Sequence, residues 1–190
     1  MNFNSHFDLA GKHAFLGASQ HSWVNYTPEK LKDRWYNEKA KIEGTELHDI
    51  ARRCIEHKIK LQATHKTLNM YVNDAIGFGM IPEQILYYSE FAFGTADTIK
   101  YFEKQRFLRV HDLKTGSSPV SMKQLEIYNA LFFLEYGDRL GITPMDVGIE
   151  NRIYQNNDIQ ISNPDPVCIR EIMDKIVQFD LILREERSKG

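Results

Sequence analysis

The sequence predicts an α+β or α/β protein, a mixed central sheet with helices packed on it. Three observations carry that class. Residues 27–76 repeat their apolar positions at helical spacing. Residues 84–102 and 106–114 are rich in aromatic and β-branched side chains and alternate with a period of two. A helical stretch, two short strands and a closing helix then follow in that order.

Residues 1–27 are mixed and turn-like. In TPEKLKDRWYNEKAKIE (27–43), Thr27 is placed to cap a helix and Pro28 to fill its first position. GTELHDIARRCIEHKIK (44–60) reads as a second helix, with Thr45 as cap and acids in its first turn. Leu47, Ala51, Cys54 and Lys58 mark its face, which Ile50 and Ile55 widen. A third helix is expected over 61–76, stopping near Gly77 or Gly79. The alternating segments form a meander of two or three strands. Residues 117–137 return to helix, with Ser121 as N-cap and Gly137 as stop. MDVGIENRIYQ and DIQIS read as two further strands, and Asp165 before Pro166 opens the last helix.

A chain of 190 residues suits one domain with a real core, here 1–190 in full. Within it, 1–43 is a helical N-terminal extension, 44–137 the core and 138–190 the closing strands and helix. No apolar run approaches the ~20 residues that span a membrane, and MNFNSHFDLAGKHAF lacks the basic and apolar regions of a secretion signal. Cys54 and Cys168 are the only cysteines, too few for a disulfide framework, a four-cysteine zinc site or an iron–sulfur cluster. A reducing cytoplasm is the expected compartment. Net charge is −2, but residues 1–70 carry 11 Lys/Arg against 8 Asp/Glu. That bias suits a solvated helical surface first and a phosphate-tracking one second.

The segment GTADTIKYFEKQRFLRVHDLKTG (94–116) carries the chemistry. Folded as a hairpin about Lys104-Gln105, it sets Phe102 against Phe107, Tyr101 against Leu108 and Ile99 against Val110. The same register sets Asp97 against Asp112, with Lys114 two residues further on. Like charges directly opposite cost a sheet roughly 0.2–1 kcal/mol. Two accounts fit: a shared proton or bound divalent cation that cancels the repulsion, or an ion-paired rim in which Asp112 meets Lys114 or Arg109. On spacing alone they stand level. His111 alternates with the acids, points to the opposite face and is left out of the site.

GTAD followed by HDLKTG resembles the paired core motifs of the PD-(D/E)XK nuclease superfamily, in its RecB-like branch. GTELH (44–48) is similar to that branch's upstream helix motif, and QLEIY (124–128) to its glutamine-x-x-x-tyrosine motif. The four segments occur in family order. The resemblance implies a restriction-endonuclease-like core, with Asp97, Asp112 and Lys114 catalytic. His48, Asp97, Asp112 and the Leu113 backbone carbonyl would be ligands to Mg²⁺ or Mn²⁺. Gln124 and Tyr128 would support the lysine or contact DNA, and Glu90 would lie near the metal. Asp112 stands where a glutamate is commoner in the wider superfamily, and the cluster-binding cysteines of some relatives are missing.

The implied activity is metal-dependent hydrolysis of DNA phosphodiesters by an exonuclease working on DNA ends, of the compact type found in phage recombination and repair. A phage-encoded chain would then act in the host cytoplasm. The alternatives are a structure-selective or nicking endonuclease, or a catalytically silent nucleic-acid-binding accessory protein on the same fold. The expected partner is DNA, with a homo-oligomer or a recombination protein as further partners and no membrane.

Overall fold

The computed structural model describes residues 14–189. The turn-like reading of residues 1–13 lies outside these. Two compact units are present, residues 1–43 and residues 44–190. In the first, a 3₁₀ turn over Ala18–Asn25 precedes helix α1, which starts at Pro28. The Trp23 indole N–H donates to the Gly17 carbonyl at 3.0 Å, and Phe15 meets Trp35 edge to face at 5.3 Å. Thr27 Oγ1 accepts from the Lys30 N–H at 3.3 Å, as expected of a cap.

Helix α1 spans Pro28–Glu56, so the break expected at Gly44-Thr45 does not occur. Gly44 is there for close approach. A Cβ on it would lie 2.7 Å from Thr115 Oγ1. Helix α2 covers Thr67–Gly77 and begins later than its apolar spacing suggested. The Asn73 side chain binds both the N–H and the carbonyl of Leu61, holding residues ahead of the helix in a loop.

In the second unit the strands are β1 (Ile81–Ser89), β2 (Ala92–Phe102), β3 (Phe107–Leu113), β4 (Gly148–Gln155) and β5 (Asp158–Ser162). They form one mixed sheet in sequence order, with β3 and β4 parallel and the other pairs antiparallel. Antiparallel neighbours need only turns, whereas the parallel pair needs a crossover. Helix α3 (Lys123–Leu140) supplies it, and α4 (Pro166–Ser188) closes the chain. The predicted stop at Gly137 is overrun to Gly141, whose φ of 62° ends the helix in left-handed backbone. Gly137 instead makes room, since a Cβ there would lie 3.0 Å from the Ile142 carbonyl oxygen. Ser121 Oγ accepts from the Lys123 N–H at 3.2 Å but stands one residue before the N-cap, Met122. Asp165 caps α4 as expected, accepting from the Val167 N–H at 2.9 Å.

Apolar side chains cover both faces of the sheet. Leu86, Ala96, Ile99, Leu108 and Val110 pack with Leu131, Phe132 and Ile169 from α3 and α4. On the other face Leu113 and Tyr154 meet Ala51 and Ile55 of α1 and Tyr71, Val72 and Ala75 of α2. Ala96 and Ile99 face the same helix layer although they are three residues apart. A regular strand would put them on opposite faces. The irregular step between them contains Asp97. Among the described residues no helix is long and apolar enough to cross a membrane.

Candidate metal and phosphodiester site

The hairpin register is the expected one from Phe102↔Phe107 to Thr98↔His111, around a 3₁₀ turn at Glu103–Gln105. The ladder stops one pair short of the acids. Asp97 and Asp112 therefore do not form the cross-strand pair that alternation predicted. Asp97 Oδ2 instead accepts the Leu113 backbone N–H at 2.9 Å. The two strands part there, and a carboxylate takes the place of a backbone rung. Leu113, named for its carbonyl, thus holds Asp97 through its N–H.

A third acid joins from β1. The β1–β2 register runs Pro82↔Thr98 and then Gln84↔Ala96, which sets Glu83 beside Asp97. Glu83 has a φ of 50°, left-handed backbone in a residue with a Cβ. Such a conformation costs on the order of 1 kcal/mol or more and persists only where surrounding structure enforces it. His48 arrives from α1, with Nδ1 3.4 Å from Asp97 Oδ2. His48, Glu83 and Asp97 each present a ligand atom, and these atoms lie within 4.8 Å of one another.

Of the expected His48, Asp97 and Asp112, the first two belong to that trio and Asp112 is not one of its three members. Its side chain is only 2 % exposed and lies against Lys114, whose Nζ donates to Oδ1 at 3.1 Å. Oδ2 lies 2.9 Å from the same nitrogen, so the ammonium pairs with both carboxylate oxygens. Lys114 also donates to Gln124 Oε1 at 2.8 Å, and Gln124 Nε2 donates to the Tyr128 hydroxyl at 2.9 Å. Gln124 and Tyr128 lie one turn apart on α3, so one helix face carries both. Gly94 of GTAD lets that face approach, because a Cβ on it would lie 2.9 Å from the Tyr128 ring.

Electrostatics follow from burial. Withdrawal from water raises Asp97 to about 6, the neighbouring Asp112 charge pushes the same way, and the Leu113 N–H opposes both. Burial also raises Asp112, against the pull of the Lys114 ammonium. Tyr128 is raised by burial, though Gln124 draws it down. Excess negative charge, held in place and partly dry, suits a hard divalent cation with oxygen donors and one imidazole. Asp112, buried against Lys114 and close enough to raise Asp97, adds to that negative charge.

Glu90 does not belong here. It sits in the β1–β2 turn and pairs with Arg187 of α4. The five steps along the strand from Ala92 to Asp97 separate that turn from the site by roughly 16 Å at ordinary strand rise. Glu83 is the residue that sequence reasoning missed. Its signal was an acid that is the only charged residue in the strand Ile81–Ser89. His111 lies apart, as its alternation required: it is fully buried, with Nδ1 3.3 Å from the Tyr154 hydroxyl, and that hydroxyl donates to Asp74 at 2.7 Å. No family model, curated protein or solved structure matches the chain.

Proposed function

We propose that this chain is a Mg²⁺- or Mn²⁺-dependent deoxyribonuclease of the PD-(D/E)XK type that hydrolyses phosphodiesters at DNA ends. One observation carries the reading. The Lys114 ammonium is seated between Asp112 and Gln124, beside a separate His48–Glu83–Asp97 group able to hold a cation. An ion-paired rim would need the lysine and Asp112 alone. It gives no reason for a second group of acids and an imidazole beside them.

When bound, the ion supplies charge neutralisation and Lewis acidity at the phosphate. His48, Glu83 and Asp97 would hold it, with Asp112 as the additional donor. The chain's own residues do the rest. A lysine ammonium has three N–H donors. Asp112 and Gln124 engage two, leaving the third for a phosphoryl oxygen as charge builds on it. Gln124 and Tyr128 hold the lysine on its line from α3, and the Leu113 N–H fixes the Asp97 carboxylate. This fixed placement avoids reorganisation during the reaction.

Labelled linear duplex DNA and a covalently closed circle, each incubated with Mg²⁺ or with chelator, test the reading. The wild type should degrade the linear substrate only with the ion, and Lys114→Ala should lose about 10²-fold or more. Undiminished cleavage by Lys114→Ala, or cleavage in chelator, rules the site out. Attack on the closed circle makes the enzyme an endonuclease.

A further inference from the structure

Lys114 also lines a cavity of about 190 Å³ in the second unit. Leu47, Leu68 and Leu113 form its apolar walls, and Thr67, Lys114, Thr115 and Asn156 its polar ones. The three leucines come from α1, α2 and the end of β3, so the walls are set by packed elements.

The polar groups differ in what they are free to do. Asn156 and Asn157 form the two-residue turn joining β4 to β5, with φ of 52° and 59°, the left-handed pair such a hairpin demands. Asn157 is tied to Thr67: its Oδ1 accepts from the Thr67 N–H at 3.1 Å, and its backbone N–H donates to Thr67 Oγ1 at 2.8 Å. Among the described residues, neither the Asn156 side-chain amide nor the Thr115 hydroxyl has a hydrogen-bond partner. An asparagine amide offers one acceptor and two donors in a plane, the pattern that matches the edge of a heterocyclic base. A slot with apolar walls, a planar donor–acceptor group and a lysine in its lining has the makeup of a small-molecule site.

We propose that this cavity is a nucleobase pocket, seating the base of the nucleotide next to the phosphodiester that the Lys114 ammonium contacts. The inference rests on the nuclease reading and adds where the substrate's terminal nucleotide goes. Lys114 belongs to both sites, so a phosphate on its free N–H leaves the attached nucleoside at the mouth of the slot. The leucines then cover the faces of the base, while Asn156 and Thr115 meet its edge. Seating the last base out of the stack would also register a chain end against the lysine.

A binding measurement separates this proposal from the nuclease reading. Deoxyadenosine 5′-monophosphate and deoxyribose 5-phosphate are titrated into the full chain with Mg²⁺, following amide shifts by NMR. The wild type should bind the nucleotide about tenfold tighter, the weight of a hydrogen bond with apolar burial. Asn156→Gly keeps the left-handed turn, and Thr115→Val keeps the shape. Together they should erase the difference while leaving deoxyribose phosphate unchanged. Equal affinities in the wild type, or a preference that survives both substitutions, overturns the pocket. DNA cleavage is scored separately. Nucleotide binding without cleavage retains the pocket and removes the nuclease; cleavage without base preference does the reverse.

Discussion

The Leu113 N–H reaches Asp97 Oδ2 at 2.9 Å where β2 and β3 would otherwise exchange backbone bonds. That single substitution of carboxylate for carbonyl opens the sheet. It also lets Glu83, Asp97 and His48 gather at the gap. Strand separation at this point is what turns a hairpin into a candidate site.

Asp97 should cost the metal-free protein stability at neutral pH. An unfolded Asp titrates near ~3.9, whereas in the fold Asp97 is held up at about 6. Folding takes up a proton between those values, so the contribution is present below the lower one and lost as pH rises through the upper. Asp97→Asn should therefore stabilise the chelated protein at pH 8 by up to about 3 kcal/mol, and by little at pH 4. Urea unfolding at both pH values measures it; a destabilised variant at pH 8 would contradict the burial argument.

His111 works in the opposite direction. Burial, with Arg152 and Arg109 nearby, lowers it to about 2, against ~6.5 in the unfolded chain. The unfolded state binds the extra proton, so stability is intact above the unfolded value and drains as pH falls below it. The slope is up to about 1.4 kcal/mol per pH unit. His111→Gln should lose stability at pH 7.5 through the broken contact with Tyr154, yet show a flatter decline to pH 5. Parallel slopes for the two proteins would refute the assignment.

Glu83 and Glu90 offer a direct contrast. Glu83→Gln should weaken Mn²⁺ binding about tenfold, read by calorimetry, because one anionic oxygen leaves the trio. Glu90→Gln removes only a solvent-screened pair with Arg187 and should leave Mn²⁺ affinity as it was. The reverse ranking would return the site to the β1–β2 turn.

Imidazole is a better ligand for transition ions than for Mg²⁺. His48→Ala should reduce Mn²⁺ affinity about tenfold or more, as does loss of a ligand-supporting group elsewhere, and reduce Mg²⁺ affinity less. Equal losses for the two ions would mean that His48 only screens Asp97.

Gly94→Ala should reach the lysine through packing. The added methyl meets the Tyr128 ring at 2.9 Å, and overpacking of this kind costs about 1–3 kcal/mol. Displacing Tyr128 disturbs the Gln124–Lys114 line, so activity should fall further than stability predicts. Thermal unfolding and cleavage rates on one preparation decide it.

Most elements were legible because their signals are local. Pro28, the Asp165-Pro166 cap and the period-two hairpin all declare themselves within a few residues, and the register from Thr98↔His111 onward follows from side-chain alternation. Spacing put Lys114 on the face of Asp112, whereas the approach of Gln124 and Tyr128 to the lysine was implied only by the resemblance of their motif. Gly44 and Gly137 misled, since a glycine that spares a steric clash looks the same in sequence as one that ends a helix. The site's remaining geometry belonged to tertiary structure. Whether Asp97 faces Asp112 or Leu113 depends on where two strands part, and whether Glu83 or Glu90 joins them depends on β1 lying alongside β2. Both are set by packing between segments distant in the chain, which no local period records.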